Sequence, residues 1–279
     1  LRFRLPAAGT YYVQLSDTSQ HGGSEYAYRL RISGPRPDFA VRMVPASLSV
    51  PAGRVASVTV YAFRKDGFEG EIEVSLENAP PGFSLAGGRI PPGQNQVTMT
   101  LTGPPRALPE PEAMRLVGSA QIGERTVTRP VVPATNMMQA FAYQHLVPAQ
   151  NLSVLVTGAG RAVSVLPPPS AAPLLLPARG TLQTLIKTTP GRQLPPLELE
   201  VREGPEGLTV TAVAITPEGA LVTLQTGEKT PQPGYENNLI LEAFTYYQVK
   251  RPDGSLDPNK RRVSLGLWPA MPYRIVPIE

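Results

Sequence analysis

Two stretches of this chain can be laid over one another, and this similarity limits the possible folds more than any other feature. Residues 71 to 101, EIEVSLENAPPGFSLAGGRIPPGQNQVTMTL, match residues 197 to 224, LELEVREGPEGLTVTAVAITPEGALVTL, in one order. Each runs from an alternating segment through a Pro-x-Gly turn to an isoleucine, a Pro/Gly turn and a second alternating segment. Pro80 and Pro205, Gly82 and Gly207, and Ile90 and Ile215 all stand 125 residues apart, so the two copies are expected to superpose strand for strand with Ile90 and Ile215 equivalent. Upstream, SVPAGRVASVTVYAF parallels LLPARGTLQTLIKTT. Downstream, two hairpin-like segments each end in Pro-Ala, at Pro133–Ala134 and Pro269–Ala270. Self-similarity at a long period signals a repeated structural unit.

Each copy offers about seven short alternating segments separated by Pro, Gly and Asn turns, a pattern of strands rather than helices. In the first copy they fall near 46–50, 55–63, 70–77, 83–86, 96–102, 113–121 and 125–132. Val58, Val60 and Ala62 alternate with Ser57, Thr59 and Tyr61, which predicts one buried and one exposed face. The chain holds 33 prolines and 25 glycines, which punctuate strands and break helices. With 41% hydrophobic residues it has enough apolar surface to build cores. The expected fold is all-β, with two tandem immunoglobulin-like β-sandwiches over 38–135 and 151–279. Between them, 136–150 reads as an interdomain joint. Residues 1–34 read as a hairpin, with Tyr12, Val13 and Leu15 on one strand and Tyr26, Tyr28, Leu30 and Ile32 on the other. GPRPDFAV then reads as a linker. Alternation is under way from the first residue, so the chain is expected to be a piece of a longer one.

The segment LPAAGTYYVQLSD…GGSEYAYRLRIS resembles the closing strands of the bacterial prepeptidase C-terminal domain, a small β-sandwich appended to secreted proteins. AGRVASVTVYAFRKDGFEGEIEVSLENAPPGFSLAGGRIPPG resembles Ig-like modules of large exported bacterial proteins. Together these resemblances imply an extracytoplasmic (secreted, periplasmic or cell-surface) bacterial protein built as a string of β-domains. They imply no particular activity.

The inventory of reactive side chains is sparse. No cysteine is present, which excludes disulfides and thiolate chemistry. There are two histidines, His21 at a Gly-rich tip and His145 in the joint. Glu69, Glu71 and Glu73 are expected on one solvated strand face. Asp253 and Asp257 are expected in an Asp-Gly hairpin turn rather than a calcium loop. Trp268 and the adjacent Tyr246 and Tyr247 offer little as a sugar platform, one tyrosine pointing in and one out. The net charge is +4, and its one dense basic cluster, NKRR with Lys250 and Arg251 nearby, reads as the arms of a solvated hairpin. No apolar run is long enough to span a bilayer.

The least ordinary text is NMMQAFAYQHLVPAQ at 136–150. It admits a helix capped by Asn136 or an extended form in which Phe141, Tyr143 and His145 alternate with their neighbours. In either form its apolar surface needs cover, and Met138, Phe141, Tyr143 and Leu146 are expected to pack between the two sandwiches. The expectation is a non-catalytic spacer that needs no cofactor and presents other domains of the same longer chain. The alternative is a module that binds a cell-surface glycan or protein. No nucleic-acid partner is expected.

Overall fold

A computed structural model of the chain describes residues 3–141, 143–158, 172–188, 193–250 and 255–278. Among them there is no helix; the protein is all-β. The first unit is built from β1 (Asp38–Val44), β2 (Ser47–Pro51), β3 (Val55–Lys65), β4 (Ile72–Glu77), β5 (Ser84–Ala86), β6 (Arg89–Ile90), β7 (Gln96–Thr102), β8 (Glu112–Ile122), β9 (Arg125–Gln139), β10 (Tyr143–Pro148) and β11 (Leu152–Thr157). The second is built from β12 (Leu174–Pro177), β13 (Gly180–Lys187), β14 (Glu198–Glu203), β15 (Leu208–Thr216), β16 (Gly219–Thr226), β17 (Glu236–Lys250), β18 (Leu256–Leu267) and β19 (Met271–Val276).

In the first unit, one layer runs β1-β3-β7-β5 and the other β2-β11-β8-β4-β6. Strand β9 ties them together. Residues 125–130 of β9 pair with β8, and Val131–Pro133 then cross to run parallel to β1. The core lies between the layers. Phe39, Val41, Val58, Val60, Val97 and Met99 come from one side, and Ile72, Val74, Met114, Leu116, Val154 and Val156 from the other. Burial follows the expected alternation: Val58, Val60 and Ala62 are buried while Ser57 is exposed. A period of two puts successive side chains on opposite faces of a strand, so one apolar stripe can fill one core.

The second unit repeats this pairing. The order β12-β19-β17-β14, with β18 also on β17, mirrors β2-β11-β8-β4 with β9 on β8. Even the parallel pairs correspond, β12 with β19 and β2 with β11. The facing layer β13-β16-β15 mirrors β3-β7-β5. Leu176, Val222, Leu224, Leu239, Leu241, Trp268 and Tyr273 form its separate core.

The structure corrects four expectations. GPRPDFAV is not a linker throughout, because β1 begins within it and buries Phe39, Val41 and Met43 completely or nearly so. Residues 3–34 form no strand; the turn at Asp17 closes, its carboxylate accepting from the amides of Ser19 and His21, but the flanking segments do not pair and Tyr12, Tyr28 and Ile32 stay exposed. A lone two-stranded ribbon has nothing to bury its apolar face against. Ile90 and Ile215 are not equivalent. Ile90 crosses to pair with Ile72 of β4 and is buried, whereas Ile215 stays in β15 opposite Ala220 and is exposed. The first unit also does not end at 135. The chain returns as β11, whose Leu152, Val154 and Val156 belong to the first core.

Candidate functional site

The two units meet at a polar seam. Its centre is Asn238 in β17, only 3% exposed, whose amide nitrogen donates to the carbonyls of Gly87 at 2.7 Å and Thr98 at 2.9 Å in the first unit. A buried amide must find partners or cost stability, and here both donated bonds cross the seam. Gly87 has φ +77°, and a Cβ there would lie 2.4 Å from the Asn238 side-chain nitrogen and 2.8 Å from Ala270. Only glycine meets both demands. Beside it the buried backbone amide of Ala270 donates to the Thr100 hydroxyl at 2.8 Å.

At the rim, four charges of alternating sign form a chain, Glu71 and Arg89 from the first unit and Glu236 and Arg274 from the second. Arg89 bridges Glu71 and Glu236, and Glu236 accepts from both Arg89 and Arg274. The Gln94 side-chain amide adds a bond to the Glu236 carbonyl. Burial alone would raise the Glu236 carboxyl, but the two guanidiniums outweigh it and hold the group below the usual carboxylate range. Partial burial alone would lower Arg89; the carboxylates of Glu71 and Glu236 outweigh it and raise the guanidinium above its ordinary value. Both shifts favour the charged pair.

The residues expected at the joint are elsewhere. Asn136, Met137 and Met138 in β9 pair with Leu146, His145 and Gln144 in β10, forming a hairpin arm that projects from the first unit. Its turn has Ala140 and Phe141 at positive φ, +49° and +57°. Phe141 is 97% exposed, Tyr143 67%, Met138 61% and Met137 53%, while Leu146 is half-buried. Met138, Phe141, Tyr143 and Leu146 therefore do not pack between the units. The segment is extended rather than helical, and antiparallel pairing folds it back on itself and returns it to β11. At the base, Arg42 of β1 donates to the Leu146 carbonyl at 2.7 Å and lies over the Phe63 ring.

His145 lies exposed on the arm across from Met137, and His21 lies beside Asp17 in the N-terminal segment. Glu69 falls outside β4 and Glu73 is solvated on it, but Glu71 is drawn into the seam by Arg89. Trp268 is buried, and its indole N–H finds no partner among the described residues. Tyr246 and Tyr247 are both partly exposed, because the β17–β18 ribbon outruns its sheet. Tyr246 donates to Glu198, and Arg262 covers the Phe244 ring at 3.6 Å and pairs with Glu200. Asp253 and Arg251 lie outside the described residues, as do the side chains of Lys250 and Asp257. No group of His, Asp and Glu able to hold a metal ion occurs among the described residues.

Sequence reading missed Asn238, Gly87 and Glu236. One signal was available: ENNLILEA places two amides at the head of a strand that is otherwise deeply apolar, and such amides need partners. A scan against protein-family models and a search of curated proteins return no match to this chain.

Proposed function

We propose that this chain is a non-catalytic structural segment of an exported bacterial protein, two Ig-like sandwiches that hold neighbouring domains at a set spacing and angle. The observation that carries this reading is the seam. A spacer that sets an angle needs directional contacts, and Asn238 with its two carbonyls, Thr100 with Ala270, and the Glu71–Arg89–Glu236–Arg274 chain provide them. Hydrogen bonds of this kind are lost when the units shift by a few ångströms, unlike greasy contacts, which can slide. The repeated strand order and the resemblance to modules of exported proteins support the same reading. The chain lacks cysteine, so spin labels on Glu124→Cys and Glu218→Cys report on one pair of positions alone. One narrow distance distribution is expected. A broad distribution in the unmodified seam would overturn the spacer role.

A second reading, docking, is favoured by the arm. Phe141, Tyr143, Met138 and Met137 stand in solvent, where apolar side chains contribute nothing to the unit's own core. If the arm serves docking, serine at 141 and 143 leaves the unfolding of the first unit unchanged. A marked loss of stability would make the arm a structural part and end this reading.

A further inference from the structure

We infer that the β9–β10 arm enters a lipid bilayer surface tip first, seating Phe141, Met138 and Tyr143 at the boundary of headgroups and acyl chains; this rests on the docking reading of the arm. The distribution of apolar groups is the first reason. Pairing puts Met138 and Leu146 on one face of the ribbon and Met137, Tyr143 and Val147 on the other, with Phe141 at the turn. A flat protein surface covers one face of a ribbon and leaves the other wet. Two copies laid arm against arm do the same. A lipid phase surrounds the tip on every side.

Charge is the second reason. From Pro130 to Gly160 the sequence has no Asp, Glu, Lys or Arg. Protein interfaces carry a polar, often charged rim, whereas entry into a low-dielectric phase penalises every charge carried in. Depth is the third. At roughly 3.3 Å per residue, Tyr143 lies about 7 Å and Met138 about 10 Å behind the Phe141 level. Interfacial anchors sink about 5–10 Å, so these three side chains fill the available depth. The ribbon satisfies its inner backbone groups by its own pairing, which limits the cost of leaving water. Gln139 and Gln144 are long enough to carry their amides back toward the headgroups. The Arg42 bond to Leu146 fixes the arm to β1, so the body follows when the tip enters.

The test is flotation of the whole chain with phosphatidylcholine vesicles and, separately, with phosphatidylcholine–phosphatidylglycerol vesicles. The wild type is expected to float with the neutral vesicles, and Phe141→Ser/Tyr143→Ser to bind at least about tenfold more weakly. Phe141→Trp adds a reporter at the tip beside one native tryptophan, Trp268, which is buried. Its emission is expected to shift to the blue on neutral vesicles and to be quenched by brominated acyl chains. Absence of flotation on neutral vesicles overturns the proposal, as does equal binding by the serine variant. Binding confined to anionic vesicles and indifferent to Phe141 would report the chain's net positive charge and overturn it too. Arm-dependent self-association in sedimentation velocity without flotation would give the arm to a second copy. That result ends the lipid proposal but leaves the docking reading standing.

Discussion

Each unit carries Pro-Ala at the same place in its strand order, yet the two places have opposite fates. In the second unit, β18 passes through Trp268, Pro269 and Ala270 directly into β19, and this short connection is buried in the seam. In the first unit, β9 passes Pro133 and Ala134, continues into the arm, and returns only at β11, the counterpart of β19. Ala134 and Ala270 are both buried, so the local environment of the repeat is preserved at the alanine itself. Beyond the alanine the two connections part. One connection is held to the other unit by the Ala270 hydrogen bond to Thr100, and the other is lengthened into a ribbon that projects into solvent. Repetition of a framework leaves its connections free to diverge: the arm that carries the docking reading is one form of this connection, and the other form lends Ala270 to the seam.

If the two frameworks correspond, β11 is part of the first core although it lies beyond the arm. Leu152→Ala is therefore expected to destabilise the first unit by about 2–5 kcal/mol, as a large core truncation does. Chemical denaturation followed by hydrogen exchange, which separates the two units, checks it. A transition confined to the second unit would break the correspondence of β11 with β19.

A smaller effect is expected at the seam. Gly87→Ala forces an L-residue into a left-handed conformation and sets its Cβ against Asn238, which should cost about 1–3 kcal/mol. The spin-label distance should broaden at the same time. If the distance stays narrow, the seam does not depend on the close approach of Gly87.

Acid sharpens the contrast further. Because the folded Glu236 carboxyl sits below its ordinary value, its contribution is complete above the unfolded pKa of about 4.3 and fades as pH falls through the folded value. The interdomain distance should therefore hold at neutral pH and loosen below about pH 4. Glu236→Gln should remove most of that pH dependence at a cost on the order of 1 kcal/mol, since Arg89 and Arg274 are partly solvated. An unchanged acid response in the variant would assign the loosening to other carboxylates.

The smallest effect belongs to the arm. Phe141→Ser should change the stability of the first unit by less than about 0.5 kcal/mol, because its side chain touches water on nearly all sides. Thermal unfolding beside the Leu152 variant makes the contrast direct, since the two positions are near in sequence and opposites in burial.

Strand positions were legible in the sequence because they rest on a local signal. Expected segments at 55–63, 96–102 and 113–121 match β3, β7 and β8 within two residues or so at each end, and Val58, Val60 and Ala62 point inward as their spacing requires. The all-β class and the internal repeat rest on the same alternation and its Pro/Gly turns. The same signal could not tell that GPRPDFAV contains the buried strand β1, or that 3–34 would stay unpaired, because burial depends on a distant surface. Only the tertiary structure decided that the chain returns from the arm to the first core, that Ile90 changes layer while Ile215 does not, and that Asn238 faces the other unit. A period of two tells which residues share a face. It carries no information about what that face meets, because pairing partners and seams are set by residues far away along the chain.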